Sequence, residues 1–325
     1  MDSFNSQIAR HEAAGTGASF VCPVCLDSGR GERILGEGFG CAVCGTIFPI
    51  IDGVPVLLAD ATLRLAMERG DKAGDQRTEF YQEEAAYLRG QIRGGDDVRT
   101  ALGTSQAAGL VLEIGSGMGV FAGIGGEDYR ALDYSLSWLR THLQAWPSLC
   151  ASAENVPLKS GSCRYIFSFA TLEHVPRPDK AFAEIDRLLA AGGVAYLAPA
   201  WHCRSWQADG LPVRPYSDLS ARQEIHKAMI PILDSLAYRG AVHIPWRLAR
   251  RMRARIGGPT TLAFGKLNAN YDKFWMADSD ACSSIDSHEG ILFFESRGYE
   301  ILQPVGRLGR ILSRGEAISV RKPLH

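Results

Sequence analysis

Apolar and polar positions follow a regular pattern through the middle of the chain. Val111, Leu112 and Ile114 form a β-branched and aliphatic run that suits a buried parallel strand, and it leads into Gly115-Ser116-Gly117-Met118-Gly119. Arg130 to Asp133 reads as a second strand ending in an acid, and a polar turn, Ser152 to Leu158, stands where a third strand should end. Cys163 to Ala170 is a longer apolar strand with a polar tip, Thr171-Leu172-Glu173-His174-Val175. Ala181, Phe182, Ile185, Leu188 and Leu189 then recur at helical spacing, Gly192-Gly193 stops the helix, and Val194 to Ala198 is the next strand. Tyr299 to Val305 and Glu316 to Val320 read as the last two strands. Strand and helix alternating over about ninety residues predicts an α/β fold, a Rossmann-like doubly wound parallel sheet.

The glycine turn narrows the ligand. Gly115, Gly117 and Gly119 let the backbone come close to a bound group, and a carboxylate at Asp133 can accept hydrogen bonds from both hydroxyls of a ribose. A dinucleotide fingerprint needs its third glycine where Val120 stands, and no Gly-Lys-Ser/Thr follows to make a phosphate loop. An ordinary strand-to-helix connection is the plain alternative, and the downstream order of strands and turns weighs against it.

Five elements in order resemble those of class I S-adenosylmethionine-dependent methyltransferases: the Glu113 to Gly119 turn, Asp133, Ala153-Glu154-Asn155-Val156-Pro157, Leu172-Glu173-His174-Val175, and Leu188 to Gly193. The resemblance runs from about residue 75 to the end. It implies that Gly115 and Gly117 pack against the amino acid and ribose of S-adenosylmethionine, that Asp133 holds the ribose, and that Glu154 sits near the adenine. Phe169 and Ala170 would line the reactive end, and Glu113, Ser116, Tyr134 and Ala153 complete the cofactor set. A helix over residues 78 to 88 would lid the cofactor with Tyr81, unless its tyrosines simply pack on the core. Only fourteen positions separate Gly119 from Asp133, and they include Gly123, Gly125 and Gly126, so the helix after the turn is expected to be about two turns long.

A second pattern lies upstream. Cys22-Pro-Val-Cys25 and Cys41-Ala-Val-Cys44, fifteen residues apart, have the spacing of a structural zinc site, in which four thiolates close a tetrahedral ion against water. Two disulfides would fit the same cysteines in an oxidising compartment. The polar start Met1 to Asn5 lacks a signal peptide's charged end and apolar core, so zinc in a reducing cytoplasm is the expectation. Ile47 to Leu58, with Asp52-Gly53 between β-branched flanks, reads as a hairpin completing a small ribbon. The segment resembles the zinc ribbon of the small activator subunit of tRNA and protein methyltransferases. The expected organisation is a ribbon at 18–60, a helical linker or lid at 61–108, and a methyltransferase domain at 109–325 carrying a mainly helical substrate insertion at about 200–285.

Composition adds bounds. The 325 residues are 46% apolar, net charge is −1, and no apolar run is long enough to span a membrane. That balance gives no general pull toward nucleic acid. Trp246 to Ile256 carries five arginines and no acid, and all but Arg253 fall on an arc opposite Leu248, Met252 and Ile256. Such a basic amphipathic helix suits a phosphate-bearing substrate, an RNA backbone or an anionic membrane surface, or is a solvated face. Tyr271 to Asp280 and Ser284 to Glu289 cluster acids and aromatics, fitting a sugar-like ligand or a helix cap near Ser287; Asp278 and Asp280 could reach a metal, but no third ligand is specified.

Methyl transfer to a hydroxyl needs a base. His202, beyond the strand end at Ala198, is the first candidate, with His174 and His288 next. The reading reached is methyl transfer to a polar small molecule such as a glycan precursor, nucleotide-linked compound or secondary metabolite, at oxygen. An RNA methyltransferase and a noncatalytic binding module on the same fold are the alternatives, and the assembly is left open between a monomer and a homodimer.

Overall fold

The computed structural model describes residues 20–69, 95–140, 147–303, 306–312, 315 and 317–324. Tyr81 and its lid helix lie outside them. The strands are β1 (Ile50–Ile51), β2 (Val54–Pro55), β3 (Leu110–Ile114), β4 (Tyr129–Asp133), β5 (Ser148–Cys150), β6 (Cys163–Phe169), β7 (Leu189–Ala198), β8 (Phe264–Lys266), β9 (Ser283–Ile285), β10 (Glu300–Ile301) and β11 (Ile318–Arg321). Seven of them form one sheet in the order β10-β11-β7-β6-β3-β4-β5. The pairs β3–β4, β3–β6 and β4–β5 are parallel. Strand order reverses between β3 and β6, and in such sheets ligands bind beyond the carboxyl ends of the strands at that point. All five residues of β3 are buried, as befits a strand covered on both faces.

The chain divides into two compact units: Met1–Phe169 with Lys180–Leu197 and Arg321–His325, and Ala170–Asp179 with Ala198–Val320. The cysteine segment clusters with the first part of the sheet, and the 170–179 tip clusters with residues 198–320.

In the first unit the helices are α1 (Pro23–Asp27), α2 (Ala61–Arg69), α3 (Gly95–Gly103), α4 (Leu136–Arg140) and α5 (Pro178–Leu188), the last beginning in the other unit. Proline at the first position and Asp179 in the first turn start α5, and Ala181, Phe182, Ile185 and Leu188 on one face are fully buried. The short helix expected after the glycine turn is absent: residues 117–125 are turns, followed by one 3-10 turn at Gly126–Asp128. Gly123, Gly125 and Gly126 all take positive φ, which breaks a right-handed helix, and a Cβ on Gly125 would stand 2.6 Å from Val111. Asp52-Gly53 makes the expected hairpin turn, with φ of 51° and 84°, and pairs Ile50 with Pro55.

In the second unit the helices are α6 (Ser205–Ala208), α7 (Ala221–Leu233), α8 (Leu236–Gly257), α9 (Ser287–Glu295) and α10 (Arg307–Leu312). The arginine-rich stretch lies in α8, but inverted from a solvated basic face. Arg247 pairs with Asp286 at 2.7 Å, Arg250 with Glu289 at 2.7 Å and Arg251 with Glu295 at 2.8 Å. Leu248, Met252 and Ile256 are 44%, 63% and 87% exposed. The reason is α9, whose Asp286 cap, Glu289 and Glu295 present a row of acids to the arginines. The last strands are shorter than expected, and 304–305 lie outside the described residues.

Candidate functional site

The first unit carries the candidate cofactor cradle. β3 delivers the glycine turn, with Gly115, Gly117 and Gly119 at φ of 76°, 49° and 72°. A side chain at Gly117 would meet nothing within 4 Å, so the turn faces open space. Gly117 N donates to Asp133 Oδ2 at 2.8 Å and Ser135 N to Oδ1 at 2.8 Å, which holds the half-buried carboxylate at the end of β4. Ser116 Oγ is buried without a hydrogen-bond partner, an orphan that a bound ligand would satisfy. These features fit a nucleoside with a charged amino-acid tail. Glu113 points elsewhere: it is 3% exposed and accepts a hydrogen bond from the Tyr129 hydroxyl. Burial, with the charge of Asp133, pushes its carboxyl up to about 8.

Ala153 and Glu154 lie in the turn after β5, where Glu154 N donates to Ser152 Oγ at 3.1 Å; Tyr134, just past Asp133, is 44% exposed. Phe169 ends β6 and stacks on Phe121 at 4.5 Å, with Tyr196 at 5.5 Å on it as well. Sequence reading missed Phe121 and Tyr196. The aromatic wall offers π-faces to a cation such as a sulfonium. Ala170 follows at a strained φ of 39°, held by its N–H to Ala198 O at 3.0 Å.

The four ribbon cysteines come together. Cys22 and Cys44 sulfurs are 3.5 Å apart and Cys25 and Cys41 sulfurs 3.8 Å apart, close to the separation of ligands around one tetrahedral zinc with about 2.3 Å bonds. Burial raises the Cys22 thiol to about 12, whereas Cys44, which burial alone would raise, is brought to about 6 by hydrogen bonding to Thr46. The ribbon is tied to the cradle's turn by Val21 N to Pro157 O at 3.1 Å and Asn155 Nδ2 to Pro23 O at 2.7 Å. Leu57 N donates to Cys150 O of β5 at 2.8 Å.

The three histidines lie in the second unit. His288 is fully buried in α9 and accepts from Arg251 Nε at 2.9 Å, a packing role that leaves it no solvent-facing atom. His174 has Nδ1 3.0 Å from Asp280 Oδ2 and Nε2 3.8 Å from Glu173 Oε1. His202, at φ 61°, donates its backbone N–H to Ile285 O at 2.9 Å. It lines a cleft with Arg204, Arg239, His243 and Arg247, walled by Leu236, Ile244 and Leu312. Asp286 neutralises Arg247, while Asp234 is shared by Arg204 at 3.5 Å and Arg239. Burial, then the charges of Arg247, Arg204 and His243, bring His202 down to about 4 against the pull of Asp286. His202 Nε2 makes no hydrogen bond and lies 3.8 Å from Asp286 Oδ1, and three guanidinium groups share two carboxylates around it. Arg204, Arg239 and His243 were not singled out in the sequence, where they are scattered.

Residues 112–197 match the methyltransferase domain family. The matched residues run from β3 to β7 and take in the centre of the seven-stranded, mainly parallel sheet. Among curated relatives, the biotin biosynthesis bifunctional protein BioHC of Cellvibrio japonicus is 34% identical over 95 residues, 27% of this chain and 19% of that protein. The malonyl-[acyl-carrier protein] O-methyltransferase of a Marinomonas species is 34% identical over 97 residues, 26% of this chain and 36% of that protein. The chain thus spans a fifth to about a third of the relatives it matches. Similar solved structures include an S-adenosylmethionine-dependent methyltransferase of Thermotoga maritima described as a possible histamine N-methyltransferase, with a TM-score of 0.42, 14% identity and coverage of 77% of this chain and 99% of that one. A complex of the Haloferax volcanii Trm112 methyltransferase activator with a putative methyltransferase has a TM-score of 0.36, 16% identity and coverage of 77% and 97%. No helix among the described residues is long and apolar enough to cross a membrane.

Proposed function

We propose that the protein transfers a methyl group from S-adenosylmethionine to an oxygen of a small polar acceptor bearing an anionic group, such as a phosphorylated or nucleotide-linked compound. The observation that carries the acceptor class is the cleft in which Arg204, Arg239, Arg247, His202 and His243 converge. On the cofactor side, Asp133 would receive the ribose hydroxyls, Gly115 to Gly117 would admit the amino-acid tail, and Phe121, Phe169 and Tyr196 would keep water from the sulfonium. The cofactor supplies an activated methyl for in-line displacement, so the chain's task is alignment, exclusion of water and removal of one proton. His202 is the proposed base: burial mainly holds its pKa low, and a bound anion would oppose the guanidinium charges that add to this and make it a better proton acceptor.

We also infer that the four cysteines hold one structural zinc, supported by their sulfur spacing. The deciding experiment supplies labelled S-adenosylmethionine and host metabolites, then fractionates the product by anion exchange. Label in a retained, nuclease-resistant small molecule supports the reading. Label in polymer, or cofactor binding without transfer, defeats it.

A further inference from the structure

Glu173 and His174 sit on the 3-10 turn Leu172–His174 that follows β6, and the turn is fixed from both sides. Cys282 N donates to Glu173 O at 2.9 Å, Ser283 Oγ to the same carbonyl at 3.2 Å, and Ala200 N to Glu173 Oε1 at 2.9 Å. The Glu173 side chain is fully buried, and its second oxygen, Oε2, has no hydrogen-bond partner. Asp278, at a left-handed φ of 60°, reaches the same place from the loop before β9. Glu173, His174 and Asp278 each offer one donor atom within 4.8 Å of the others. Donors held about 2.1 Å from a common ion sit about 3 to 4 Å apart, a gap that rotation of the half-buried Asp278 closes.

Two further facts point to a ligand there. Among the described residues neither Glu173 nor Asp278 is paired with an arginine or lysine, so two carboxylates face one imidazole with no cation between them. A buried charge left in that state is costly, and a metal ion relieves it. His174 Nδ1 meets the fully buried Asp280 at 3.0 Å, which turns Nε2 toward Glu173. A carboxylate behind the far nitrogen of a ligating histidine is the usual way such a ligand is oriented.

We propose that Glu173, His174 and Asp278 bind one divalent cation, with Asp280 as the positioning residue behind His174. Two carboxylates and one imidazole suit a first-row ion such as Mn2+, and the exposed edge of Asp278 gives it a way in. This site is distinct from the ribbon cysteines, whose thiolates select zinc.

The test uses full-length protein with its ribbon saturated with zinc, titrated with MnCl2 while free Mn2+ is read by electron paramagnetic resonance. The expected result is one Mn2+ bound per chain, with a pulsed spectrum showing one coupled histidine nitrogen. Asp278→Asn, at a half-buried position, should weaken binding at least tenfold, and Asp280→Asn by about 10- to 100-fold with the nitrogen coupling reduced. Wild-type protein that leaves 1 mM Mn2+ free overturns the proposal, as does bound Mn2+ without nitrogen coupling or with full affinity retained in folded Asp278→Asn.

Discussion

Gly117 and Asp133 are joined by a 2.8 Å hydrogen bond from the glycine N–H to Oδ2, which ties the turn after one strand to the acid ending the next. Both groups therefore move together, and removing the carboxylate both loosens the turn and deletes the proposed ribose acceptor. Asp133→Ala is expected to lose about 1.5–3 kcal/mol of cofactor binding, roughly tenfold to a hundredfold, in calorimetric titration with S-adenosylhomocysteine. Unchanged affinity in a folded variant would take Asp133 out of the cradle.

The buried Glu113 makes stability depend on pH. Its folded pKa of about 8 lies above the ordinary 4.5, so the folded chain keeps a proton that the unfolded chain releases. Stability from this group is whole below about pH 4.5, declines between 4.5 and 8 by at most about 1.4 kcal/mol per pH unit, and is flat above. Glu113→Gln keeps a neutral side chain there and should flatten denaturant-derived stability across that window. A slope equal to wild type would show that Glu113 does not carry it.

Removal of the zinc proposed for the four cysteines should reach the proposed cofactor site. Val21 and Pro23 hold the Ser152 to Leu158 turn that includes Ala153 and Glu154. Chelation or Cys41→Ser is expected to open residues 20 to 58 to protease and to weaken cofactor binding several-fold, because ordering the turn then costs free energy at binding. Identical cofactor affinity in the chelated protein would separate the two.

In the cationic cleft, Arg239 offers the cleanest probe, since Arg247 is buried and braces Asp286 and Ile311 O. Arg239→Met keeps much of the apolar stem and deletes the charge. The acceptor KM should rise about tenfold or more with little change in cofactor affinity. A change confined to kcat would point to a role other than holding an anion.

Binding to RNA should be weak in its salt response. Of the five arginines from Arg247 to Arg255, three are spent on Asp286, Glu289 and Glu295. With Arg253 and Arg255 left, the slope of log affinity against log salt should not exceed about 2 in magnitude. A slope of about 5 would mean that the helix releases its acids to meet RNA.

What the sequence disclosed depended on how local the signal was. The succession of strands and helices along the chain, the hairpin at Asp52-Gly53 and the cysteine quartet are written in contiguous runs and fixed spacings, so periodicity and spacing reveal them. The orientation of α8 was not legible, because a helix's polar arc says nothing about whether water or the acids of α9 will meet it. The cleft was hidden for a related reason: Arg204, Arg239 and His243 lie far apart in sequence and acquire meaning only when α8 folds back. The glycines between Gly119 and Asp133 gave warning of a short connection, but not that Gly125 must pass against Val111 with no α-helix between the strands.

The bond from Leu57 N to Cys150 O has a further consequence. β5 is the terminal strand of the sheet, and the flank of such a strand is where a foreign chain would add itself and start a growing stack. Here the protein's own residues after the cysteine knuckles occupy that flank, through Leu57 and the Val56–Cys150 bridge. The cysteine segment is therefore a guard against self-association as well as a brace, and the first visible sign of losing the zinc proposed for it should be turbidity.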